Sequence, residues 1–198
     1  MQQQSHKRKL ILASSSPYRK LLLERLGIPF EVSSPSVDET PAENETAAHL
    51  VGRLARDKAS AVARQFPQAV VIGSDQIAVC GGEIIGKPGS ADNAARQLRR
   101  FSGRTIQFLT AVSVVCAGDG FDRSLTVITD VSFRDLSDDE IQRYIEMDQP
   151  LDCAGSFKSE AGGISLMRAM RSDDPTAIVG LPLITVAAAL REAGYRVP

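Results

Sequence analysis

Apolar and polar positions fall into blocks along this chain of 198 residues, and the period of each block predicts an element. Lys9 to Ala13 is a short apolar run that reads as a buried strand. Ser16-Pro17 follows as a helix cap with proline in the first helical position. Leu21, Leu22 and Leu26 recur on one face of that helix, and Gly27 stops it. Ile28 to Ser33 reads as a second strand. An acidic loop carrying Val37-Asp38-Glu39 leads into a long helix from about Thr46 to Gln65, with Leu50, Leu54, Ala61 and Val62 on its apolar face. Ala69 to Gly73 is continuously apolar, as in a strand buried on both faces. The chain runs on through Ile77 to Cys80, turns at Gly81-Gly82 and returns to Gly86, a hairpin pattern.

Ala91 to Phe101 has helical spacing. Thr105 to Cys116 and Phe121 to Phe133 read as long strands joined by Ala117-Gly118-Asp119-Gly120. Ser137 and Glu140 stand at capping-box spacing and open a helix that ends before Pro150. Ile164 to Met170 reads as a strand, and Leu183 to Ala193 as a closing helix stopped by Gly194. Strands alternating with helices, then a later hairpin, give an α/β class. The polar stretch Met1 to Arg8 reads as a flexible extension, and residues 9–198 as one domain without repeats or an internal linker.

Composition narrows the function classes. A 43% hydrophobic content supports one substantial core, and a net charge of -1 supplies no basic field for a nucleic-acid polymer. Cys80, Cys116 and Cys153 are odd in number and lack CxxC spacing, while His6 and His49 lie far from them. That argues against a zinc site or disulfide framework and for a reducing compartment. With no signal-like apolar stretch and no run long enough for a bilayer, the expected setting is the cytoplasm, with no membrane partner.

Three polar junctions carry candidate chemistry. Ser14-Ser15-Ser16-Pro17-Tyr18-Arg19 sits at a strand-to-helix turn, where backbone N–H groups and the helix dipole favour an anion. A plain capped helix is the alternative, and no GxxxxGK[ST] loop exists in the chain. Gly73-Ser74-Asp75-Gln76 follows an apolar strand directly, the place where active sites gather in open α/β sheets. Asp75 there either accepts a proton from water or caps a turn. Glu39 and Asp75 are oxygen donors suited to Mg²⁺ or Mn²⁺, and Lys58 and Lys87 are cations suited to phosphates. Lys58 alone reads as a solvated helix face, whereas Lys87 is fixed between Gly86 and Pro88. The third junction, 152–160, mixes small and polar residues around Phe157. It is either a ligand loop or an exposed connection, and Cys153 has no histidine partner to make it a nucleophile. Asp173-Asp174-Pro175-Thr176 reads as a simple turn.

Ser14-Ser-Ser-Pro-Tyr-Arg19, Val37-Asp-Glu39, Arg53-Leu-Ala-Arg-Asp-Lys58, Gly73-Ser-Asp-Gln76 and Gly86-Lys-Pro88, in this order, resemble the Maf family of nucleotide pyrophosphatases over about Lys9 to Gly194. The resemblance implies an elongated mixed β-sheet flanked by helices, with two lobes around a nucleotide-binding cleft, and often a homodimer. It implies divalent-metal-dependent cleavage between the α- and β-phosphates. Asp75 then matches the proton acceptor, and Ser14, Arg19, Glu39, Lys58 and Lys87 match phosphate and metal contacts. Gly155-Ser-Phe-Lys-Ser-Glu160 resembles the 7-methyl-GTP branch, whose specificity positions match Tyr18, Gln76 and Glu160. A carboxylate at Glu160 suits the two donors of guanine, and an aromatic face suits a cationic methylated base. Tyr18 stands where the branch carries Trp, and Ala161-Gly162-Gly163 replaces an aromatic-containing segment; both changes bear on the strength of 7-methyl selectivity. The alternatives are a nucleotide-binding regulator of septum formation without turnover, a pyrophosphatase acting on GTP, UTP or dTTP, and a phosphatase releasing orthophosphate.

Overall fold

The computed structural model describes residues 8–198. The chain enters on β1 (Leu10–Ala13), whose four side chains are all buried, and turns at once into α1 (Pro17–Glu24). Ser16 caps this helix, accepting the Arg19 N–H, with Pro17 at its start. Leu22 and Leu23 are the buried pair of α1, whereas Leu21 is 62% exposed. The inward stripe is thus set one residue later than the leucine spacing predicts, because the short helix is docked by its Leu22–Leu23 edge. The second strand shrinks to β2 (Glu31–Val32), an edge strand parallel to β1 with both residues exposed.

Next comes α2 (Ala47–Ala63), capped by Thr46, and then β3 (Val70–Cys80). β3 is a single strand of 11 residues, so Gly73–Gln76 lies inside it rather than after its end. Local polarity suggested a break, but antiparallel pairing with β5 (Thr105–Cys116) runs unbroken from Val71 to Val79 and carries the strand through. β4 (Glu83–Ile85) folds back on β3 across Gly81-Gly82, and α3 (Ala91–Phe101) follows. β5 and β6 (Phe121–Phe133) form the long hairpin expected. α4 (Asp138–Asp148) has the Ser137–Glu140 capping box, and Gln149 ends it in the left-handed region at φ 44°. Gly162–Leu166 forms a 3-10 turn, so the strand expected from Ile164 begins later, as β7 (Met167–Ser172). α5 (Leu183–Glu192) closes the chain.

The sheet order is β2-β1-β3-β5-β6-β7, with β4 beside β3. Pairing is parallel among β2, β1 and β3 and antiparallel elsewhere, which makes the sheet mixed. The long strands serve two cores. One end of β3 and β5, including Val70, Ile72, Val112 and Val114, packs under α1 and α5. The other end, including Ala78, Cys80, Ile106 and Phe108, packs under α3 and α4. α2 crosses the opposite face, burying Ala59 and Val62 toward one end and Val51 and Ala55 toward the other. These two cores are the two lobes.

Residues 1–7 of the expected extension lie outside the described residues. Arg8 is tied down rather than loose: it pairs with Asp119, and its carbonyl accepts the Tyr195 hydroxyl at 2.8 Å. Among the described residues, no helix is long and apolar enough to cross a membrane.

Candidate active site

The cleft forms where β3 changes neighbours. β1 pairs with β3 only as far as Ala13 opposite Gly73, and β4 joins it from Ala78 onward. Between these points β3 still has β5 on one side but no strand on the other. Asp75 and Gln76 lie along that gap, Asp75 turned toward α2 and Gln76 toward the Ala177 and Ile178 carbonyls on the opposite face, at a crevice of the kind a sheet opens where its connections diverge.

Gly73 sets the depth of the site. A Cβ there would lie 2.3 Å from the Ala55 carbonyl oxygen and 2.6 Å from the Ala59 nitrogen, so only glycine lets α2 lie on the strand. That approach brings Lys58 onto the sheet. It is 9% exposed, not the solvated helix position its flanking charges suggested, and its Nζ donates to Asp75 Oδ1 at 2.7 Å. The same Nζ lies 2.6 Å from Glu39 Oε1. An ammonium bridging two carboxylates satisfies a charge that burial alone would make costly. The hydrogen bond from Lys58 holds the Glu39 carboxyl below its ordinary range, with the charges of Lys58, Lys87 and Arg19 adding to it.

Ser14 and Arg19 close the other wall. The Ser14 hydroxyl accepts the Ser16 N–H at 3.1 Å and Arg19 Nη1 at 3.3 Å, while Arg19 Nε donates to the Gly180 carbonyl at 2.9 Å. Burial pulls the Arg19 pKa down and Asp75 and Glu39 oppose this, yet a guanidinium keeps its charge. Lys87, exposed at the rim beyond β4, supplies a third cation.

At the far end stand Tyr18, Gln76 and Glu160. Lys158 Nζ sits 5.7 Å over the Tyr18 ring and donates to the Asp148 carbonyl, holding the ring against the end of α4. Gln76 Nε2 lies 2.9 Å from each of Thr110 Oγ1, the Ala177 carbonyl and the Ile178 carbonyl. Glu160 is exposed on the loop after Phe157, and Phe157 itself is buried. Ser14, Tyr18, Arg19, Glu39, Lys58, Asp75, Gln76, Lys87 and Glu160 therefore line one cavity of about 600 Å³, whose apolar walls include Leu54, Ile77 and Ile178. Burial pushes the nearby Cys153 thiol up to about 12, so it is no thiolate nucleophile at neutral pH. Among the described residues no three His, Cys, Asp or Glu side chains converge for a metal, and Glu39 and Asp75 are two carboxylates that meet at Lys58 Nζ.

Sequence reasoning missed the supporting layer. Ser74, Thr110 and the carbonyls of Ala177, Ile178 and Gly180 hold Gln76 and Arg19, and Gln97 joins Ser156 to the Gly86 carbonyl beside Lys87. Only Asp173-Asp174-Pro175-Thr176, just before these carbonyls, carried a signal, as a cluster of turn residues.

The Maf-like protein family model matches residues 9–193. The chain belongs to the Maf-like family. Among Maf-like relatives, the 7-methyl-GTP pyrophosphatase of Aromatoleum aromaticum is 55% identical over 190 residues, covering 96% of this chain and 98% of its own. That of a Polaromonas species is 54% identical, covering 94% of this chain and 85% of its own. That of Nitrosococcus oceani is 48% identical, covering 95% and 94%. The family resemblance drawn from the ordered motifs is borne out along nearly the whole chain.

Proposed function

We propose that this chain hydrolyses 7-methyl-GTP to 7-methyl-GMP and pyrophosphate, removing a modified nucleotide from the pool. The observation that carries the reading is the joining, in one cleft, of three cations around two carboxylates with a base-sized end made of Tyr18, Gln76 and Glu160. Relatives of about half identity that bear this activity as their name support the choice of substrate.

In this reading a water attacks the α-phosphorus and passes its proton to Asp75. The bond from that phosphorus to the bridging oxygen breaks, and pyrophosphate leaves. Arg19, Lys58 and Lys87 neutralise the charge growing on the leaving group, which is most of what protein groups contribute to phosphoryl transfer. Ser14 and Arg19 orient the phosphates, so the attack becomes effectively intramolecular. Glu39 and Asp75 each give one oxygen to the Lys58 ammonium, and the other oxygen of each would be the hard donor that holds Mg²⁺ or Mn²⁺. Bound there, the ion would supply further neutralisation of phosphate charge. Glu160 accepts from the guanine edge, and Tyr18 gives the cationic base an aromatic face.

The free thiols of Cys80, Cys116 and Cys153 support a reducing, cytoplasmic setting. We carry the family expectation of a homodimer to this chain, to be checked by sedimentation. Product analysis tests the main reading, with 7-methyl-GTP, GTP, UTP and dTTP in parallel, Mg²⁺ or Mn²⁺, and a chelator control. Monophosphate with pyrophosphate, fastest from 7-methyl-GTP, is expected. Orthophosphate as product, or binding without turnover, would overturn it.

A further inference from the structure

We propose that the 174–180 turn is a positioning element that decides which end of the Gln76 amide faces the nucleotide base and where the Arg19 guanidinium points. This rests on the pyrophosphatase reading above and deepens its account of base choice. Asp174 closes the turn: it is 2% exposed, its Oδ1 accepts the Thr176 N–H at 2.9 Å and hydroxyl at 2.7 Å, and its Oδ2 accepts the Ile184 N–H of α5 at 2.8 Å. A buried carboxylate with three local donors holds the backbone on both sides of it.

The turn's carbonyls then face the cleft walls. Those of Ala177 and Ile178 can only accept, and the one proton of Thr110 Oγ1 is donated to the Ala177 carbonyl at 2.8 Å. Gln76 therefore meets three oxygens, none of which has a proton to give it, and only its NH₂ can face them. Its Oε1 is left as the end offered to the base. With Glu160, the base end presents acceptors, which suit the N1–H and exocyclic amine of guanine and repel the carbonyls flanking the single donor of uracil. The Gly180 carbonyl accepts from Arg19 Nε at 2.9 Å and lies 2.9 Å from the Ser74 hydroxyl, which divides its one proton between this carbonyl and that of Ala111 at 2.7 Å. Gly180 has φ 115°, a conformation L side chains rarely adopt, so the backbone that aims this carbonyl at the guanidinium favours glycine.

Thr110→Val and Ser74→Ala separate the two arms, and Asp174→Asn, which sets an NH₂ against N–H donors, strikes both. Thr110→Val is expected to lower the ratio of kcat/KM for 7-methyl-GTP over UTP about three- to tenfold, the effect of losing one buried hydrogen bond. Ser74→Ala is expected to raise KM for both nucleotides alike and leave their ratio unchanged. Asp174→Asn is expected to do both. A merely structural role would lower Tm while leaving KM and the ratio at wild-type values. Dissociation constants for 7-methyl-GTP and UTP, measured by calorimetry on the same proteins, carry the comparison independently of turnover. Selective binding by the wild-type protein without hydrolysis would sink the pyrophosphatase reading alone. Folded Thr110→Val and Ser74→Ala proteins with wild-type selectivity and KM would sink the positioning proposal alone.

Discussion

The proposed function divides the cleft into a phosphate end and a base end, and the two are built differently. At the phosphate end, Ser14, Arg19, Lys58 and Asp75 stand on or next to β1, α1, α2 and β3, with Arg19 also held by the Gly180 carbonyl, while Glu39 and Lys87 reach in from loops. At the base end, Tyr18 and Gln76 share α1 and β3 with that group, but Glu160 and the carbonyls that hold Gln76 sit on loops and 3-10 turns between 154 and 180. Groups that stabilise a reacting phosphate must be placed closely, and regular elements do this best. Groups that distinguish one base from another can change with loop sequence while the chemistry stays intact.

The largest effect should come from breaking the phosphate end at its base. Asp75→Asn keeps an oxygen for Lys58, and Lys58 keeps Glu39, so the fold should survive. Loss of the proton acceptor should lower kcat at least about 10²–10⁴-fold with little change in nucleotide affinity. Near-normal turnover in this variant would remove Asp75 from the mechanism. Next in size is Gly73→Ala, whose Cβ would press on the α2 backbone at 2.3 and 2.6 Å. The helix must move, destabilising the protein by about 1–3 kcal/mol and drawing Lys58 off Asp75, with kcat falling about 10²-fold for a displacement near 1 Å. Gly52→Ala on the same helix meets nothing within 4 Å and is the control. Calorimetric melting beside steady-state kinetics checks both halves; unchanged activity in Gly73→Ala would show that the Lys58–Asp75 contact is dispensable.

The contrast between the two ends also governs what the sequence disclosed. The hairpin strands Thr105–Cys116 and Phe121–Phe133, the Ser16 and Ser137 caps, and the junction at Ser14 were legible because apolar runs and capping residues act over a few positions. Gly73–Gln76 was read as a strand end because its polar residues have local patterns of a turn. Their partners lie far along the chain: Lys58 for Asp75, Gly180 for Ser74, and Thr110 with the Ala177 carbonyl for Gln76. No periodicity carries such contacts. Lys58 looked solvated for the same reason, since only Gly73 opposite reveals how closely the helix lies. The nine candidate residues came together in one cavity because ordered motifs identified them, not because spacing did.

At the base end, Glu160→Gln replaces a two-acceptor carboxylate by one acceptor and one donor. The guanine edge then loses a partner and the uracil edge gains one, so kcat/KM for 7-methyl-GTP relative to UTP should fall about 5–50-fold. kcat itself should change less than KM, because in the proposed reading Glu160 touches the base and not the reacting phosphate. A nucleotide panel with unchanged ratios would show that Glu160 does not read the base.

The smallest effect should come from the tether of the loop that carries Glu39 to the phosphate end. Arg53 grips both Glu45 carboxylate oxygens at 2.8 Å and donates to the Thr40 carbonyl, one residue beyond Glu39. The Arg53 hydrogen bond, with the Ala42 N–H adding to it, lowers the Glu45 carboxyl from its ordinary 4.5 to about 2. A carboxyl depressed in the folded state contributes stability above its ordinary pKa and loses it as pH falls through the folded one. The difference in Tm between the wild-type protein and Glu45→Gln should therefore be full above pH 4.5 and close as pH drops toward about 2. At neutral pH the same variant should raise KM modestly for every nucleotide equally, since a looser Glu39 weakens the phosphate end without touching the base end. A change in base preference instead would mean that the loop carrying Glu39 reaches the base as well, and that the division of labour between the two ends is less sharp than their construction implies.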